Sequence, residues 1–229
     1  MQKKRVVVLG GVGLIGSHLI EKLLARGEEV FCVDKRDLSS SPILSAIKND
    51  AFHYVKHDIT TPYTIRCDEI YNLVSPARLS YDRQLPVETL KSYLLGSINT
   101  LEIARSEFTR VVFGSSSKIY AQRSSATYRD NTPIIEGVSS AEAIHRAYFS
   151  EYGVDSRIAR IFNTYGSGCD IRDRRVVMRM VTSALQNRDI VIFGDGEQKR
   201  TLCWAGDIAD ALIKMMGCPS DSGQIVADL

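Results

Sequence analysis

The chain has 229 residues, 44% of them hydrophobic and 24% charged, and a formal net charge of +2 at neutral pH. That length can bury a full core as one large domain or as one and a half, and the composition is that of a soluble globular protein. A small net charge without a basic run argues against a nucleic-acid partner, and the lack of any apolar stretch of spanning length argues against a membrane.

The start, Met1-Gln2-Lys3-Lys4, leads straight into a strand pattern instead of a signal sequence. Cys32, Cys67, Cys169, Cys203 and Cys218 are odd in number, scattered and without metal-ligand spacing, which fits reduced thiols in a cytoplasm.

Arg5 to Leu9 is a short, β-branched apolar run, as expected of a strand buried on both faces of a parallel sheet. Gly10-Gly11-Val12-Gly13-Leu14-Ile15-Gly16 then opens a segment from Ser17 to Arg26, with Leu19, Ile20, Leu23 and Leu24 at helical spacing and Gly27 as its stop. Glu29 to Asp34 is a second buried strand, and it ends on a carboxylate. Strand, glycine turn, helix, strand and acid together make a dinucleotide-binding βαβ unit. Gly10, Gly13 and Gly16 let the backbone approach a pyrophosphate, the helix start at Leu14 and Ile15 faces its charge, and Asp34 accepts bonds from a ribose hydroxyl. A βαβ unit whose glycines serve only the turn explains neither their spacing nor the terminal acid. Lys35 and Arg36 follow Asp34 and are placed to meet a 2′-phosphate, but Asp34 would repel that group, so the balance favours NAD.

Leu38 to Asn49 reads as a loop and a short helix, with Ser39-Ser40-Ser41-Pro42 supplying cap and first-turn chemistry. Phe52 to Val55 is the next strand and delivers Asp58 and Ile59 to the carboxyl edge of the sheet, where ligands bind in open α/β folds. Asp58 there either contacts the adenine or caps the following turn. Asp68 to Val74 is the fourth strand, the small residues of Ser75-Pro76-Ala77 after it let a cofactor pass close by, and Leu73, Val74 and Ser75 are the candidate cofactor contacts there. Pro86 to Arg105 is a long helical pattern, Val111 to Phe113 a fifth strand running into Gly114-Ser115-Ser116-Ser117, Ala141 to Tyr152 a helix stopped by Gly153, and Arg157 to Asn163 a sixth strand. This alternation predicts an α/β fold with a Rossmann-type doubly wound parallel sheet. Beyond it come a helix at Val176 to Leu185, a short strand at Ile190 to Phe193, a turn at Gly194-Asp195-Gly196 and a helix at Ile208 to Met216. The expected division is a dinucleotide-binding domain over 1–168 and a partial, smaller C-terminal substrate lobe over 169–229.

Several phrases resemble one family, the extended short-chain dehydrogenase/reductases that act on nucleotide sugars. They are the glycine turn, His57-Asp58-Ile59-Thr60, the stretch from Asp68 to Ala77, the stretch from Arg157 to Gly166, and Gly194-Asp195-Gly196-Glu197-Gln198-Lys199-Arg200. The set is most similar to the UDP-glucuronate decarboxylase branch, whose members carry similar Ser-Pro-Ala, Asn-Thr-Tyr-Gly and Arg-Val-Val runs. The resemblance implies a tightly held NAD that takes a hydride from the sugar C4 and later returns it, through a 4-keto sugar. It also implies a Tyr-x-x-x-Lys pair and a Ser or Thr hydroxyl for the proton. Ser116 matches that hydroxyl. By the same resemblance Asn163 contacts the sugar diphosphate, Arg175 and Arg200 bind its phosphates or the sugar carboxylate, and Phe193 lies against the base of a UDP-linked sugar. Either arginine could instead form a surface ion pair. A homodimer is implied as well, built from a helix pair that includes Pro86 to Arg105 and Ala141 to Tyr152.

The sequence departs from the pattern at the Tyr-x-x-x-Lys pair. Counted back without a gap from Ala141-Glu142, Ile134 and Val138 occupy its two positions. Aligned forward from Thr127-Tyr128, Ser139-Ser140 reaches the place just before the expected Tyr, and this better-fitting register implies a missing segment. Tyr128 is a possible stand-in, with no Lys four residues later. Lys118 stands where the decarboxylase branch has a Glu, and Tyr93 where extended members have an Asn. The end at Leu229, earlier than is usual in the family, implies that part of the sugar-binding lobe is absent. A non-catalytic protein that binds a dinucleotide or nucleotide sugar is the alternative. His18, His53, His57 and His145 have no partner by spacing and read as structural or solvent-facing.

Overall fold

A computed structural model describes residues 3–76, 85–120, 132–170, 173, 175–220 and 223–229. Its strands are β1 (Arg5–Leu9), β2 (Glu29–Asp34), β3 (Phe52–Lys56), β4 (Glu69–Asn72), β5 (Arg110–Ser116), β6 (Ser156–Ile161), β7 (Asn163–Tyr165), β8 (Leu202–Trp204) and β9 (Val226–Asp228). Its α-helices are α1 (Leu14–Ala25), α2 (Pro42–Ser45), α3 (Pro86–Glu107), α4 (Thr132–Tyr152), α5 (Val176–Leu185) and α6 (Ala205–Gly217).

Seven strands form one parallel sheet in the order β3-β2-β1-β4-β5-β6-β9. The order reverses direction between β1 and β4, which opens a crevice at their carboxyl ends. Alternate residues of β1 serve opposite faces of the sheet. Val6 and Val8 join Leu19, Ile20 and Leu23 of α1 with Ile208, Leu212 and Met216 of α6 on one side. Val7 and Leu9 join Ile70 of β4 and Leu101 and Ala104 of α3 on the other. Burial on both faces is why these strands read as continuous apolar runs.

The expected elements from β1 to β6 are present, and Ser41 caps α2 by accepting the Leu44 N–H at 3.3 Å. Three expectations need correction. First, residues 169–229 do not form a separate lobe throughout, because α6 packs on α1 and β9 extends the main sheet beside β6 with Ile158 opposite Val226. Apolar residues of α6 recur on one face and bury fully against the sheet, so this segment returns to the first core. Second, Ile190 to Phe193 is not a strand; it lies exposed, with no neighbouring strand among the described residues to supply ladder bonds. The second sheet is instead β7 paired in parallel with β8, Asn163 opposite Leu202 and Tyr165 opposite Trp204.

Third, α4 is longer than the expected helix from Ala141 to Tyr152. It runs unbroken from Thr132, and Ile134, Val138 and Ala141 are fully buried against Tyr93, Phe113 and Ile158. The spacing of those three residues places them on one helix face. Thr127 and Tyr128 lie outside the described residues.

Candidate active site

The site is built at the carboxyl edge of β1, β2, β4 and β5. Gly10 leaves β1 with φ +75°, and a Cβ there would stand 2.9 Å from the backbone of Leu73 and Val74. Only glycine lets these two strand ends approach so closely. Gly16 meets the turn from the helix side, where a Cβ would lie 2.6 Å from the Gly10 carbonyl oxygen. The Gly13 N–H donates to that same oxygen at 3.0 Å, closing the turn. No side chain caps α1, and no acidic residue stands in its first turn. The first N–H groups of the helix, at Leu14 and Ile15, therefore face outward with the positive end of the helix dipole behind them. That cradle fits a pyrophosphate.

Asp34, only 6% exposed, ends β2 beside the turn. Its Oδ2 accepts the Val12 N–H at 3.1 Å, and its Oδ1 accepts the Arg36 N–H at 3.0 Å. The Arg36 guanidinium adds Nε to Oδ1 at 3.3 Å and Nη2 to Oδ2 at 3.0 Å. Asp58 caps the turn that follows it, its Oδ1 accepting the Thr60 N–H at 3.0 Å, and Lys35 Nζ lies 3.4 Å from its Oδ2. Partial burial raises its pKa, but the hydrogen bonds from Thr60 and the Lys35 charge outweigh that and hold the carboxyl below its ordinary value. Ile59 is buried and packs on Gly96 of α3, while Asn99 donates from Nδ2 to its carbonyl at 2.8 Å.

On β4 the Leu73 N–H donates to Leu9, and the Val74 N–H to the Asn72 side chain. Ser75 Oγ lies 2.8 Å from the Tyr93 hydroxyl, a pairing that spacing alone does not show. Ser116 closes β5, and its Oγ accepts the Lys118 N–H at 3.3 Å. Beneath it, Ser115 donates to Glu142 Oε1 at 2.6 Å, and Arg160 grips the same buried carboxylate through Nε and Nη2, both at 2.9 Å. Burial raises the Glu142 pKa, yet the bonds from Arg160 and Ser115 and the charge of Arg146 win and hold it below its ordinary value. Sequence reasoning missed this brace; Glu142 is a charged residue on an amphipathic helix, and nothing local reveals that it points inward.

The expected substrate residues are spread over the less buried segment. Asn163 donates from Nδ2 to the Thr201 carbonyl at 3.3 Å, across the small sheet from the strand that Arg200 precedes. Arg175 precedes α5 and pairs with Asp173, Nε to Oδ2 at 2.8 Å, the ion-pair alternative for that residue. Phe193 is exposed, with the Arg179 guanidinium 4.1 Å above its ring. The histidines are structural or partly solvent-facing: His18 reaches the Ser167 carbonyl at 3.1 Å, His53 meets Glu29, His57 meets Thr61 and His145 is fully buried against Ser156. The cysteines are unpaired, and no cluster of metal-ligating side chains occurs among the described residues.

A family model described as the NAD dependent epimerase/dehydratase family matches residues 6–226. UDP-glucuronic acid decarboxylase 1 of Arabidopsis thaliana is 33% identical over 227 residues, covering 94% of this chain and 52% of that protein. UDP-glucuronic acid decarboxylase 3 of the same plant is 34% identical, covering 96% and 68% respectively. The chain thus spans about half the length of the first of these relatives and about two thirds of the other. Among solved structures, UDP-N-acetylglucosamine 4-epimerase from Methanobrevibacter ruminantium M1 superposes with a TM-score of 0.85 at 23% identity, over 100% of this chain and 77% of that one. UDP-glucuronic acid 4-epimerase from Bacillus cereus, in complex with UDP-glucuronic acid and NAD, gives 0.82 at 21% identity, over 98% and 76%.

Proposed function

Because the chain belongs to the NAD-dependent epimerase/dehydratase family, we propose that it modifies a UDP-linked sugar with bound NAD, through a 4-keto form of that sugar. The observation that carries the proposal is the uncapped start of α1 beside Asp34, with Ser116 on the same sheet edge. In this reading the Leu14 and Ile15 N–H groups bind the pyrophosphate, Asp34 orients the adenosine ribose, and the Ser116 hydroxyl bonds a reacting sugar hydroxyl. NAD, when bound, supplies the hydride acceptor and donor. Asn163, Arg175, Arg200 and Phe193 are the proposed contacts to the nucleotide sugar. A homodimer formed through α3 and α4 belongs to the same proposal, supported by the exposed Val87 and Leu95 on α3 and checked by light scattering. So does a cytoplasmic location. The test of activity is incubation with NAD and UDP-glucuronate, with mass spectrometry for carbon dioxide loss, a 4-keto sugar or an epimer. Absence of all three while NAD stays bound overturns the catalytic reading.

One observation favours a second reading, binding without turnover. At positions 134 and 138, where the gap-free register of the family resemblance puts the proton-transfer pair, stand fully buried Ile and Val side chains that can neither take nor give a proton. Calorimetry showing uptake of UDP-glucuronate with no product supports this reading, and product formation removes it.

A further inference from the structure

The acid at the end of β2 arrives with its own cation. Asp34 accepts four N–H bonds from the protein: from the Val12 backbone, from the Arg36 backbone, and from Nε and Nη2 of Arg36. A carboxylate has roughly four lone-pair directions, so these donors fill it and the guanidinium balances its charge; a ribose hydroxyl reaches Asp34 by displacing a guanidinium N–H bond, which turns that N–H toward the ligand. The Arg36 backbone is itself fixed, since the Tyr54 hydroxyl donates to its carbonyl at 2.7 Å. A guanidinium carries five N–H bonds. Two of them point at Asp34, and the rest belong to a side chain that is 39% exposed. Its Nη2 lies 3.5 Å from where a Cβ on Gly13 would stand, so the fork sits beside the turn that leads into α1. Lys35, 3.4 Å from Asp58, adds a second cation to the same rim.

An unpaired acid here selects a ribose diol by repelling a 2′-phosphate. An acid already paired to an arginine loses most of that repulsion, and the outward N–H groups of the fork match phosphate oxygens. We infer that Arg36 sets the specificity at the adenosine ribose and that the chain accepts the 2′-phosphorylated dinucleotide NADP alongside NAD. The inference rests on the dinucleotide reading above.

The experiment is calorimetric titration of the full chain, and of its Arg36→Ala and Arg36→Lys variants, with NAD and with NADP. For the unaltered chain the two dissociation constants should agree within about tenfold. In Arg36→Ala the ratio of the NADP to the NAD constant should rise at least about tenfold, with Arg36→Lys between, because lysine keeps the charge and loses the fork. NAD binding by each variant reports that it is folded; if the alanine variant is not, the lysine variant decides by the same rise in ratio. NAD binding with NADP weaker by more than tenfold in the unaltered chain overturns the inference and leaves the dinucleotide reading standing. An unchanged ratio in the variants also overturns it. Failure of both dinucleotides to bind the unaltered chain overturns both.

Discussion

Stability between neutral and mildly acid pH should be governed by His145. The side chain is wholly buried on α4, its ring stacked on Phe113 at 4.4 Å with Nδ1 2.6 Å from Ser156 Oγ. Its Nε2 has no hydrogen-bond partner among the described residues. Burial pushes its pKa down from 6.5 to about 3, only partly opposed by the charge of Glu142. The folded chain therefore refuses a proton that the unfolded chain accepts below pH 6.5. The stability this residue contributes is fully present above that pH and declines as pH falls toward the folded value. At about pH 5, one and a half units into that window, the loss amounts to about 2 kcal/mol. Urea unfolding of the unaltered chain and of His145→Asn at about pH 7 and pH 5 measures it, with the other histidines cancelling in the difference. The unaltered chain should lose about 2 kcal/mol more than the variant over this interval. Glu142 acts in a different window, since its lowered pKa gives stability that is present above 4.5 and lost only in stronger acid. Parallel losses in the two proteins would refute the assignment of a buried, neutral imidazole.

Gly16→Ala should abolish calorimetric NAD binding and cost more than about 1 kcal/mol in urea unfolding, because the new methyl meets Gly10 and Gly11 backbone atoms at 2.6 to 2.9 Å. Arg157→Ala should cost about 3–5 kcal/mol in thermal or urea unfolding. This fully buried guanidinium pairs with Asp155 and bonds the carbonyls of Met215, Met216 and Cys218 at the end of α6, all of which lose a donor. Gly96→Ala should destabilise by about 1–3 kcal/mol through contact with Ile59 Cδ1 at 2.5 Å. Ile59→Val, which removes that carbon, should recover part of the loss, and strictly additive effects of the two changes would show that they do not touch.

The βαβ unit at the start of the chain was legible because each of its parts leaves a local mark: a β-branched run for a doubly buried strand, glycines at the turn, helical spacing, and an acid at a strand end. Other features depend on residues brought together from far apart, as when Arg157 caps α6, Tyr93 meets Ser75, or β9 pairs with β6. The strand at Ile190 to Phe193 failed for the complementary reason: its residues have strand propensity, but a strand needs a partner, and propensity does not supply one. The register of α4 shows the same division. Spacing offered two alignments around Ile134 and Val138 and did not reveal that both residues lie buried on one unbroken helix. The sequence by itself determined the sheet, its crossover helices and the phosphate-binding turn, since these arise from periodicity and backbone chemistry within short windows. Only the tertiary structure decided that Asp34 is paired to Arg36 and that apolar side chains fill α4 at positions 134 and 138, because burial and side-chain direction depend on what the rest of the chain packs against them.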